Sequence, residues 1–213
     1  ISDQELITKQ IDGIEWEGEP PVFTLVYHFL QNKADKAKWE QLAIENTEIL
    51  NDEMSGYMSF DIDTLMYWYD YDIPIDDFSN KDFRTLLESI EEDEVINIFV
   101  TSTNTSLRGF TTVFNTWFEG YEIKAPKYDN IFLSWISVEE KNALVHEVGH
   151  FFGLNHVWTY APSELDNLGI TTDRDSCLNV MNYGCCPEGL TETQKWRMLM
   201  YGALHRNYLI GYE

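Results

Sequence analysis

The chain has 213 residues, enough to bury one sizeable core, and carries a formal net charge of -23 from 37 acidic against 14 Lys and Arg residues. That surplus excludes nucleic acid and anionic membrane surfaces as natural partners, since phosphate binding needs clustered basic side chains, and it favours cationic substrates. No run of about eighteen apolar residues is present, so no membrane-inserting helix is expected, and Ile1 opens on a polar segment without the apolar stretch of a leader peptide.

In chain order, VFTLVYHFL (22–30) is a continuous apolar run that predicts a buried strand, and His28 within it reads as a core residue. A helix is expected from about Lys33 to Asn51, with Trp39, Leu42, Ala43, Asn46, Ile49 and Leu50 on one face. TLMYWYD (64–70) reads as a second strand, and Ser79-x-x-Asp82 as the cap of a helix carrying Phe83, Leu86, Leu87 and Ile90. VINIFVT (95–101), RGFTTVF (108–114) and NIFLS (130–134) bring the total to about five strands, which predicts a mixed sheet with helices packed against it. Ser137-x-x-Glu140 has the form of a capping box. It predicts a helix from near Val138 to near Phe152, with Ala143, Leu144, Val145, Val148, Phe151 and Phe152 as its apolar surface. A last helix starts at about Thr191, where His205 reads as a surface or packing residue. No repeat, low-complexity tract or clear linker interrupts the chain, so one domain over 1–213 is expected.

The segment HEVGHFFGLNH (146–156) holds three of the five histidines. Residues four apart lie one turn apart on a helix, so His146 and His150 can present their rings to one point. Glu147 is rotated by one residue, which places its carboxylate beside a metal bound there, as a base for water rather than as a ligand. His156 can join the pair only if the chain turns sharply, and Gly153 supplies a residue that takes positive φ at little steric cost. Three ligands with a fourth position left open is the catalytic form of a zinc site.

With CLNVMNYGCC (177–186) downstream, the chain resembles the metzincin clan of zinc endopeptidases, whose long histidine motif is followed by a tight turn bearing methionine. Asn179-Val180-Met181-Asn182-Tyr183, the cysteines after it, LTETQKWRM (190–198) and ALVHEVGHFFGLNHVW (143–158) are similar to the pappalysin family, most strongly from about residue 130 to 200. The resemblance implies an α+β fold with a mostly parallel five-stranded twisted sheet. A sheet and active-site helix over 1–153 would be followed by a loop-rich subdomain over 154–213 that ends in a helix. It implies zinc on His146, His150 and His156, Glu147 as general base and acid, Met181 as the floor beneath the metal, and Tyr183 as a donor to the developing oxyanion.

The resemblance further implies that RGFTTVF, with Gly109, Phe110 and Thr111, is the edge strand along which an extended peptide aligns. Glu188, in the segment after Tyr183, would make the adjoining pocket acidic and selective for Arg or Lys. Secretion with the leader already removed is implied too, and that setting allows Cys177 to pair with Cys185 or Cys186 around the methionine turn. A second zinc site on these cysteines is the rival reading. The acidic stretches 91–94 and 166–175 are candidate calcium ligands, the first better read as a solvated face. The expected partner is therefore a peptide or protein substrate, with no indication of oligomeric state. Two other functions fit the residues: a silent binding domain on this fold, and a zinc hydrolase of a non-peptide bond.

Overall fold

Five apolar stretches pair into one sheet in a computed structural model, which describes residues 19–30, 36–68, 85, 87, 89–101, 109–111, 130–134, 137–182 and 189–209. The strands are β1 (Val22–Leu30), β2 (Ser59–Tyr67), β3 (Ile96–Thr101), β4 (Gly109–Thr111) and β5 (Asn130–Ser134), in spatial order β2-β1-β3-β5-β4. β1 runs parallel to β2 and β3, and β3 parallel to β5. β4 alone is antiparallel, placing Thr111 opposite Ile131. The sheet is thus mixed and mostly parallel, as the resemblance implies.

Side chains alternate across a strand, so each central strand feeds two cores. Phe23, Leu25, Tyr27 and Phe29 of β1 join Ile96, Ile98 and Val100 of β3 and Ile131 and Leu133 of β5 on one face. Against that face lie α1 (Lys36–Glu53), through Trp39, Ala43 and Leu50, and α2 (Ala143–Phe151), through Leu144, Val145, Val148 and Phe151. Phe152 sits edge-on to Phe23 with ring centroids 4.9 Å apart; truncating such a buried ring to alanine costs about 3–5 kcal/mol. On the other face Leu30, Phe99 and Phe132 pack with Leu87 and Ile90, which lie in helical backbone. The first part of that expected helix, with its cap at Ser79 and Asp82, lies outside the described residues.

Two expected boundaries move. β2 spans 59–67 rather than 64–70, because SFDID alternates apolar with acidic residues, the pattern of an edge strand with one wet side; Asp61 and Asp63 are exposed. Asn51 of α1 blunts this edge, accepting from Phe60 N at 2.7 Å and donating to Phe60 O at 2.9 Å. The capping box at Ser137 does not start α2. Ser137–Glu139 form one 3-10 turn, whose Val138 carbonyl is taken by Asn46 Nδ2 at 2.8 Å, and the helix begins at Ala143 with Asn142 as its cap residue.

Beyond α2 the described chain is loop-rich, with α3 (Pro162–Asn167), α4 (Asp173–Leu178) and α5 (Glu192–His205). α5 starts where expected, as Thr191 and Gln194 form a capping box. Glu53 at the end of α1 accepts from Leu190 N at 2.8 Å and pairs with Lys195 at 3.2 Å, tying the sheet side of the molecule to this region. No described helix is long and apolar enough to cross a membrane.

Candidate active site

α2 delivers two imidazoles, and the backbone around it sets which nitrogen each presents. His146 Nδ1 lies 2.7 Å from the Val180 carbonyl oxygen, and His150 Nδ1 lies 2.7 Å from that of Leu154. A carbonyl only accepts, so both Nδ1 atoms carry the hydrogen and, in a neutral ring, Nε2 is left as a bare lone pair. Burial lowers all three rings from the usual histidine range: His150 to about 3 and His156 to about 4, each lowered further by neighbouring rings, and His146 in the same direction.

The bare nitrogens converge. His150 Nε2 is 3.1 Å from His146 Nε2 and 3.0 Å from His156 Nε2, and the three candidate ligand atoms all lie within 4.8 Å of one another. Two lone pairs facing each other at that distance repel unless a cation joins them. Tetrahedral zinc with nitrogen ligands at about 2.0–2.1 Å would set neighbouring nitrogens about 3.3 Å apart, so the donor set fits this ion in type and spacing, and His146 and His150 fit it in protonation. Among the described residues, no other group of three His, Cys, Asp or Glu side chains is placed to hold a metal.

His156 reaches the pair because α2 ends abruptly. Gly153 takes φ +83°, its N–H bonds to His150 O, and Leu154 N bonds back to Gly149 O, both at 2.9 Å, the doubly bonded left-handed helix end that glycine favours. A Cβ on Gly153 would also meet the Tyr201 ring at 2.6 Å, so both conformation and packing demand glycine here. The turn serves His150 as well, since it aims the Leu154 carbonyl at Nδ1. Trp158, 52 % exposed, stacks on His156 with ring centroids 4.2 Å apart and planes within 13°.

Met181 is fully buried beneath α2, and its Sδ would lie 2.5 Å from a Cβ on Gly149, so a larger residue at 149 would displace it. Its segment is cross-linked on all sides. Val157 N donates to Met181 O at 3.1 Å, and Met181 N to Asn179 Oδ1 at 3.0 Å. Asn179 and Gln194 exchange amide hydrogen bonds of 2.7 and 3.1 Å in the buried interior. The turn that offers Val180 O to His146 is thereby locked to the start of α5. Neither Asn179 nor Gln194 stands out in the sequence as a functional residue; the Thr191-x-x-Gln194 cap signature is the one signal that marks this end of α5.

Glu147 is 6 % exposed and follows His146 on α2. Burial pushes its carboxyl up to about 8, opposed by a hydrogen bond from Thr111 that favours the charged form. A carboxyl tuned near neutrality can both take up and release a proton. Thr111 Oγ1 lies 2.9 Å from Glu147 Oε2 and 2.9 Å from Glu147 O. Thr111, expected among the substrate-binding residues, lies with Gly109 and Phe110 on β4, the last strand of the sheet among the described residues, and its buried hydroxyl faces Glu147.

Tyr183, Cys185, Cys186 and Glu188 lie outside the described residues. Cys177, near the end of α4, is an exposed free thiol, so the expected disulfide is not seen among the described residues. Asp175, in the candidate calcium loop, caps α4, its Oδ2 accepting from Thr171 N at 3.1 Å and Thr172 N at 3.0 Å. In the 91–94 stretch, residues 92 to 94 are exposed.

A mostly parallel sheet with one antiparallel strand, and beside that strand a helix presenting two histidines to a third, define a metzincin-like α+β fold in which three histidines are placed so that they could hold a metal ion. The crystal structure of metalloproteinase-II from Bacteroides fragilis is similar, with a TM-score of 0.55 and 15% sequence identity over 92% of this chain. The match covers 60% of that protein's chain, and at this identity the likeness shows the fold. No protein-family description and no curated protein matches the sequence.

Proposed function

We propose that the protein is a zinc-dependent endopeptidase in which His146, His150 and His156 hold the metal and Glu147 is the general base. The observation that carries this is the convergence of three Nε2 atoms, with those of His146 and His156 at 3.1 and 3.0 Å from the central His150, next to a buried carboxyl on the same helix. Zinc held there supplies Lewis acidity, both to water and to a peptide carbonyl. Glu147 takes a proton from the attacking water on Oε1, the oxygen Thr111 leaves open, and passes it to the leaving amine nitrogen. Among the described residues β4 is the last strand of the sheet, so an extended substrate can pair along its outer edge. Tyr183, two residues past Met181, is the proposed donor to the developing oxyanion.

Within the clan, the pappalysin-like pattern of residues 143–158 and 177–198 supports a secreted enzyme of that type. The net charge of -23 favours basic substrates, with Glu188 the proposed acidic wall of the pocket beyond the scissile bond. The test is cleavage of a denatured, Arg-rich protein by wild type and Glu147→Ala, each with its zinc content measured. Zinc in both, with cleavage lost by about a hundred-fold or more only in the variant, is the expected result. Zinc in both with no cleavage by either would point to the silent binding fold or to a non-peptide bond.

A further inference from the structure

We infer that Thr111 is a positioning residue for the general base: from the edge strand, its hydroxyl holds one oxygen of Glu147 so that the other is presented to the reaction. The inference rests on the peptidase reading above. A glutamate has three side-chain torsions, the last of them broad, so its two oxygens are interchangeable until a neighbour distinguishes them. Here one neighbour does. Thr111 Oγ1 lies 2.9 Å from Oε2, and among the described residues no donor reaches Oε1.

The grip is rigid for reasons visible in the fold. Thr111 is β-branched, hence stiff at its first torsion, and its backbone is pinned opposite Ile131 in the antiparallel pair with β5. The same hydroxyl lies 2.9 Å from the main-chain carbonyl of Glu147, so its single hydrogen is shared between the backbone and side-chain oxygens of the base. Thr111 is only 8 % exposed, so water does not substitute readily for the hydroxyl. It follows that the strand proposed to align the substrate on its outer edge also sets the base on its inner side. Substrate register and base position are then referred to the same piece of backbone.

A merely structural threonine would satisfy a buried carboxyl and do nothing more. The two roles separate in kinetics. Zinc-loaded wild type, Thr111→Val and Thr111→Ser are compared on a quenched-fluorescence peptide taken from a cleavage site mapped in the denatured Arg-rich protein, with crystal structures of all three. Valine keeps the shape without the hydroxyl; serine keeps the hydroxyl. Loss of a hydrogen bond to a charged group predicts a kcat lower by about ten- to hundred-fold in Thr111→Val. KM within about two-fold of wild type, unchanged zinc content and kcat within about three-fold in Thr111→Ser complete the expected result.

A wild-type kcat in Thr111→Val, or a serine variant as poor as the valine one, would overturn the inference. If zinc-loaded wild type cleaves no peptide or protein, the peptidase reading fails instead, and the crystal structures decide alone. A Glu147 carboxylate unmoved in Thr111→Val overturns the positioning role. A carboxylate displaced there, and restored in Thr111→Ser, upholds it.

Discussion

Histidine is stripped of water at two places in this molecule, with opposite results. On the far face of the sheet His28 is fully buried and stacks on Phe99 with ring centroids 4.5 Å apart. Its Nε2 donates to Asn97 Oδ1 at 2.8 Å and its Nδ1 accepts from Trp68 Nε1 at 3.3 Å. Burial pushes it down to about 4, yet the neutral ring is satisfied on both sides. At α2 burial also keeps His146 and His150 neutral, but there the Val180 and Leu154 carbonyls take Nδ1 of each and the Nε2 atoms face one another. The two places differ in the backbone acceptor that takes one nitrogen's hydrogen and turns the other nitrogen toward a neighbouring ring, as a metal ligand must be turned.

The largest expected effect sharpens this contrast directly. His150→Ala removes the central ligand and is expected to abolish zinc retention through gel filtration, whereas His28→Phe keeps about one zinc per chain despite altering an equally buried ring. Elemental analysis of the purified proteins checks both. Retained zinc in His150→Ala would break the comparison at its strongest point.

Gly153→Ala attacks the turn that gathers the ligands without touching any of them. The positive φ and the approach to Tyr201 together predict a loss of about 2–5 kcal/mol, read by urea unfolding, with weaker zinc binding in a competition assay. The pH dependence of the metal-free protein comes next. Below its ordinary 6.5 an unfolded His28 takes up a proton that the folded ring refuses until about 4. Its contribution is therefore fully present above pH 6.5 and is lost as pH falls to 4, about 3 kcal/mol in all. His28→Phe should flatten that part of the slope; the α2 histidines act in the same direction, while Glu147, raised to about 8, acts in the opposite one as pH falls from 8 to 4.5. Gln194→Ala, which breaks the amide pair under the methionine turn, is expected to cost about 1–3 kcal/mol with a smaller fall in zinc affinity.

The parts legible in the sequence were those with local periodicity. The apolar runs of β1, β3 and β5 sit where they read, because central parallel strands are buried on both faces. The histidine spacing was legible because helical geometry and one glycine decide it. β2 was set five residues late because Asp61 and Asp63 disguise an edge strand, and α2 was started early because the Val138 carbonyl is taken by Asn46, 92 residues away in sequence. The contacts that tune the site were not legible at all. Thr111 to Glu147 spans 36 residues and His146 to the Val180 carbonyl spans 34, and a backbone acceptor leaves no trace in residue type.

X-ray absorption at the zinc edge of the purified protein tests the central claim most directly, since it counts the ligand atoms themselves. The account predicts three imidazole nitrogens and one oxygen at about 2.0–2.1 Å, reduced to two imidazoles or to no bound zinc in His156→Ala. Sulfur scattering at about 2.3 Å in the wild type, or a zinc spectrum unchanged in His156→Ala, would contradict it.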